Sequence, residues 1–223
     1  MQIVKAKATI LNPFKETMST KEYLTMQCKH IERIGRTCYK SESRITDDSY
    51  ENFVKQLIKS KHTAMIEHGS FSVKFIVDRG VSHELVRHRI ASFAQESTRY
   101  CNYGKEGEIT FIKPLFFEES SLEYCAWKDS CAQAEATYLD MLQEGVSPQE
   151  ARSVLPNSVK TEIVVTMNFR QWRHFFDLRA LDKTGKAHPQ MKEVTVPLLY
   201  ELVGVCPIIF GDMIPDNVHK DIV

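Results

Sequence analysis

The residues with the most chemistry per unit length lie in "RHRIASFAQESTRY", from Arg87 to Tyr100. Three arginines, Arg87, Arg89 and Arg99, are opposed within it only by Glu96, while Ser92, Ser97 and Thr98 add hydroxyls. Guanidinium forks suit phosphate oxygens, and Ser97 and Thr98 with their amides supply neutral donors. Read as a helix, "RHR" turns its residues in different directions, so some of these cations should face inward, where an anionic ligand would offset the cost. Ser97 is a poor nucleophile candidate, because no G-x-S-x-G turn surrounds it and arginines do not take its proton. A second basic set, Arg152 and then Arg170, Arg173, His174 and Arg179 in "MNFRQWRHFFDLRA", follows. At helical spacing Arg170 and His174 share a face, with Arg179 near it.

Other clusters fall to plainer readings. "HELVRH" sets His83 and His88 five apart rather than four, off a common helix face, so no metal site is expected. His62 and His68 flank Glu67 at no standard ligand spacing. The six cysteines include no C-x-x-C, which points to reduced thiols, and Cys206 in "VGVCPIIF" reads as a buried structural thiol. With 29 basic and 29 acidic residues the formal charge is zero, which argues against a general nucleic-acid or anionic-membrane binder. The N-terminal apolar run is too short for a secretory signal and no segment approaches a membrane span, so a soluble, cytoplasmic protein is expected.

The elements that must position these groups are legible in outline. A strand-like start precedes a helix with Leu24, Cys28, Ile31, Ile34 and Cys38 on one face, and a second helix begins near Asp47. "SFSVKFIVD" alternates as a strand. "RGVSHELVRHR" predicts a turn at Gly80, a cap at Ser82 and a short helix carrying Arg87, from which "ASFAQESTRYCNYGKEG" departs as an ordered loop. "EITFIKP" is a further strand, and Glu118 to Glu144 a long helix ended by Gly145. In "SPQE", Ser147, Pro148 and Glu150 form a helix start that delivers Arg152. "SVKTEIVVTMNF" is a strand, "RQWRHFFDLRAL" a helix, and a last helix is interrupted or kinked near Pro197. The order gives an α+β domain over residues 1–223, with a mixed or antiparallel sheet packed by long helices.

R-H-R, seven residues, then Ser97 with Arg99 and Tyr100 behind it resembles the signature of flavin-dependent thymidylate synthases. "KHTAMIEHGSFSVKF", "RGVSHELVRHR", "EARSVLP", "MNFRQWRHFFDLRA" and "AHPQ" follow in that family's order. The resemblance implies reductive methylation of dUMP to dTMP, with methylenetetrahydrofolate as carbon donor, FAD as hydride source and NADPH as reductant. It also implies a homotetramer with shared active sites. Arg87, His88, Arg89, Gln95, Asn168, Phe169, Arg170 and His174 are similar to flavin contacts. Glu84, Leu85, Val86, Arg87, Gln95, Glu96, Ser97, Thr98, Arg99 and Arg152 match the substrate side, and Arg179 matches an arginine that activates the uracil ring. His62, Glu67 and His188 fall at the pocket or folate side. Glu84 stands where some relatives carry glutamine, Ala64 where others place a hydroxyl beside FAD, and His174 where some carry asparagine. A nucleotide- or RNA-binding module without catalysis is the competing class, weakened by the balanced charge and the lack of a recognised RNA-binding motif.

Overall fold

Two nine-residue strands with strict alternation form the centre of the molecule. In this computed structural model, which describes residues 1–105 and 108–214, the chain opens with β1 (Gln2–Val4) and β2 (Lys7–Leu11), then α1 (Thr20–Thr37) and α2 (Ser49–Lys59). A helical turn, Met65–His68, leads into β3 (Ser70–Asp78), α3 (Arg79–Leu85), β4 (Ser92–Gln95) and β5 (Thr110–Ile112). Then come α4 (Leu122–Gln143), α5 (Pro148–Ala151), β6 (Lys160–Asn168), α6 (Phe169–Arg179), α7 (Pro189–Val205) and α8 (Pro207–Phe210).

The main sheet runs β2-β3-β6-β4 and is antiparallel throughout, with Val73 opposite Val165 at its middle. A separate parallel pair joins β1 to β5. Period-two alternation puts Phe71, Val73, Phe75 and Val77 of β3 on the same face as Ile163, Val165 and Met167 of β6, and all are buried. Against that face pack Leu24, Cys28 and Ile31 of α1, Trp172, Phe175 and Phe176 of α6, and Leu198, Leu199 and Leu202 of α7. Trp172 stacks on Phe71 with centroids 5.0 Å apart, and its indole N–H donates to the Phe71 carbonyl at 3.1 Å, which fixes α6 under the sheet. A smaller core joins Ile109, Phe111, Cys131, Tyr138, Ala151 and Val159.

Local signals placed several ends correctly. Ser147 and Glu150 make the expected capping box, and Gly145 leaves α4 at φ +85°. Cys206 is buried, 3.9 Å from the sulfur of Cys28. Three expectations need correction. Asp78, not Ser82, caps α3, its Oδ1 accepting from Val81 N at 2.7 Å; Gly80 lies in the first turn. Residues 92–95, expected in a loop, are β4, because their backbone can pair with the open edge of β6. Finally, α7 is not interrupted at Pro197 but runs on to Val205, and the chain turns by 119° at the break that follows, at Cys206.

Gly69 precedes β3 where the chain comes closest to α6. A Cβ there would lie 2.5 Å from Cε2 of Phe169 and 2.9 Å from Ile31, both in the core. Gly69→Ala is therefore expected to destabilise the fold by about 1–3 kcal/mol, read as a lowered urea midpoint with unchanged slope; an unchanged midpoint contradicts this packing.

Candidate active site

The β6–α6 junction builds the first cluster. Asn168 ends the strand and caps the helix, its Oδ1 accepting from Gln171 N at 2.8 Å, so Arg170 and His174 leave the first turns on the exposed side. Arg170 reaches Glu67 at 2.6 Å. Glu67, Ile90, Asn168, Arg170, Gln171 and His174 line a cavity of about 350 Å³. Phe169, whose ring is fully buried and whose N–H is taken by the Gly69 carbonyl at 2.9 Å, is a core residue that fixes this corner.

At the other end of α6, Arg179 meets the segment after α3. Its Nε donates to His88 Nε2 at 3.0 Å and its Nη1 to Glu84 Oε2 at 3.0 Å, while its carbonyl accepts from the Thr195 hydroxyl at 2.7 Å. The helix stops at Leu85, so "RHR" lies in a turn beyond it. Contrary to the expectation of inward-facing cations, Arg87 and Arg89 are exposed and only His88 turns in. Uncompensated guanidinium is too costly to bury, whereas imidazole can enter neutral.

His88 is 6% exposed, with its ring edge-to-face on Phe175. Burial, reinforced by the positive charges of Arg179 and His174, pushes its pKa down to about 4. Accepting at Nε2 from Arg179 requires that nitrogen to be unprotonated, which places the ring proton on Nδ1. The unfolded chain binds this proton near pH 6.5 and the folded chain only near 4, so stability is full above 6.5 and falls as pH drops through that window, by up to about 3 kcal/mol. Urea unfolding between pH 7 and 4 is expected to show that loss and His88→Gln to flatten it; equal slopes for both proteins contradict a buried neutral His88.

The "QESTR" residues form a second cluster. Gln95 points its amide at Ser82 Oγ, 2.9 Å, and Thr161 Oγ1, 3.2 Å, holding β4 against α3 and β6. Ser97 accepts from Arg99 N at 3.3 Å, a local turn bond. Thr98 is buried and receives Arg152 Nη1 at 2.9 Å, across 54 residues of sequence. Arg99 is exposed over the Tyr100 ring. Glu106 and Gly107, at the end of the expected loop, lie outside the described residues. Among the described residues, no hydrogen bond links the Thr98–Arg152 pair to the Arg179–His88–Glu84 group. Leu85, the last residue of α3, is buried, and Val86, next to Arg87 in the chain, is exposed.

The remaining candidates divide. His62 and Ala64 share the wall of a mainly apolar cavity of about 480 Å³ with Cys38, Tyr39 and Phe53. His188 caps α7, its Nδ1 accepting from Gln190 N at 3.3 Å, and Gln190 donates to Asp78 at 2.6 Å, tying α7 to the start of α3. Two residues escaped the sequence reading: Tyr103 and Lys160, which both engage Glu96. Neither carries a periodic or motif signal.

Comparison with known proteins identifies the family and the fold. A family model described as thymidylate synthase complementing protein matches residues 22–208. A flavin-dependent thymidylate synthase of Pyrococcus furiosus is 32% identical over 198 residues, covering 88% of this chain and 78% of the relative. One from Geobacter sulfurreducens is 31% identical over 188 residues, covering 81% and 79%. The fold is similar to that of a UMP/dUMP methylase from Streptomyces cacaoi, solved with 5-Br dUMP, at a TM-score of 0.73 and 20% identity over 95% of this chain and 96% of that one.

Proposed function

The chain belongs to the flavin-dependent thymidylate synthases, and from that premise we propose that it converts dUMP to dTMP with methylenetetrahydrofolate as carbon donor, FAD as cofactor and NADPH as reductant. The observation that carries this reading is the Arg179 group. The Arg179 side chain, 24% exposed, is held at Nε by neutral His88 and at Nη1 by Glu84, which engages two of its five donors and leaves the others to meet a ligand. A fixed guanidinium stabilises negative charge developing on a pyrimidine ring nitrogen and carbonyl oxygen, and so makes the ring carbon nucleophilic without a protein thiol.

The residues present fit FAD. Arg170 lines the 350 Å³ cavity and exposed Arg87 and Arg89 shortly precede its Ile90 in the chain, cations suited to a diphosphate, while Ile90, 68% exposed, offers an apolar face to a planar ring. Bound FAD supplies the redox step, and the protein binds, orients and polarises. Ser97, Thr98, Arg99 and Arg152 take the nucleotide phosphate and sugar, while Glu84 and Arg179 face the base.

Because no hydrogen bond joins the Thr98–Arg152 pair to the Arg179–His88–Glu84 group among the described residues, we propose that each site combines the two from different subunits of a homotetramer with shared sites. Tyr100, 79% exposed, and Leu122, 85% exposed on a mostly uncovered α4, support burial by other copies. A cytoplasmic location is supported by six unpaired cysteines. The test is spectral: purified protein loaded with FAD should absorb in the blue, and dUMP should perturb that band. Protein that holds no flavin, or a band unmoved by saturating dUMP, contradicts the reading.

A further inference from the structure

The segment that presents Ser97, Thr98 and Arg99 is closed upon itself. Glu96 stands at its start and Tyr103 beyond its end, and the Tyr103 hydroxyl donates to Glu96 Oε1 at 2.7 Å. Between them, the N–H groups of Tyr100 and Cys101 both point back to the Ser97 carbonyl, at 3.2 and 2.9 Å, making one compact turn. The second carboxylate oxygen of Glu96 lies 3.3 Å from Lys160 Nζ, with the two side chains 15% and 22% exposed. Lys160 also donates to Glu162 at 3.1 Å, and Glu162 pairs in turn with Lys74. The start of the turn is further fixed by Glu96 N, which donates to the Glu162 carbonyl at 2.9 Å.

The far end is anchored by packing. The Tyr103 ring tilts against Tyr138 of α4, with centroids 6.1 Å apart, and belongs to the smaller core. Burial and then the bond to Glu96 hold its phenol well above the usual range, so it stays a neutral donor. Lys160 offsets a carboxylate that would otherwise repel a phosphate bound at the neighbouring Ser97 and Arg99.

We propose that Glu96 and Tyr103, with Lys160 behind the carboxylate, form a buckle that pre-orders the nucleotide-binding turn, making Tyr103 and Lys160 positioning residues for dUMP. This rests on the assignment of that turn to dUMP in the proposed function. An unbuckled turn must be ordered when nucleotide binds, which weakens binding without touching the reacting atoms.

The experiment titrates dUMP into FAD-loaded protein and compares kinetics. Tyr103→Phe and Lys160→Met should each raise the Kd and KM for dUMP about tenfold, with kcat and FAD affinity close to wild type. Lys160→Arg should restore the affinity. Wild-type dUMP affinity in both Tyr103→Phe and Lys160→Met overturns the buckle while leaving the activity intact. Equal losses of dUMP affinity, FAD affinity and kcat with a lowered Tm also overturn it, since they describe a general brace. If dUMP does not bind the wild-type protein, both the buckle and the proposed function fall.

Discussion

Arg179→Ala is expected to retain FAD and lose about a thousandfold in kcat, the scale seen when one preorganised donor to a developing negative charge is removed. The loss should fall on kcat more than on KM, because the charge on the pyrimidine is greatest in the transition state. The fold has little reason to suffer: the side chain of Glu84, freed of its partner, is already 35% exposed, and neutral His88 loses a donor rather than a counter-ion. Arg179→Lys should recover little, since a point charge cannot meet Glu84 and His88 and still present a fork outward. Turnover of the alanine variant near the wild-type value, with flavin bound, rejects the activating role.

The second large effect is expected at Arg152. Its guanidinium donates to the buried Thr98 and stands next to the turn that presents Ser97 and Arg99. Arg152→Ala should raise KM for dUMP about a hundredfold, the upper part of the range for a hydrogen bond to a charged group. FAD content and kcat at saturating dUMP should change little. Deoxyuridine, which has no phosphate, separates phosphate binding from a collapsed turn: its weak affinity should be the same in wild type and Arg152→Ala. If deoxyuridine and dUMP lose affinity equally, Arg152 supports the loop and not the phosphate.

What could be read from sequence was whatever is encoded within a few residues. The alternation of β3 and β6 and the Ser147–Glu150 box are local, and they were legible. The α3 cap was misplaced because Asp78 is held partly by Gln190, 112 residues away, and a plausible serine stood closer to the helical pattern. The direction of "RHR" failed for the same reason: His88 turns in to meet Arg179, 91 residues away. β4 forms on the edge of a strand that follows it by more than sixty residues, so its short sequence has no period of its own. Tyr103 closes a turn seven residues after Glu96, and although that spacing also fits a helix face, the stretch between them has no apolar repeat to single the pair out. The site residues themselves came from the family resemblance, and the geometry adds how Glu84, His88, Thr98 and Glu96 hold their neighbours.

The most direct test of the account supplies the purified, FAD-loaded protein anaerobically with dUMP, methylenetetrahydrofolate and NADPH, and measures dTMP. The account predicts dTMP formation that requires both FAD and the folate and is abolished in Arg179→Ala. A folded protein that holds flavin and binds dUMP, yet forms no dTMP, would contradict it.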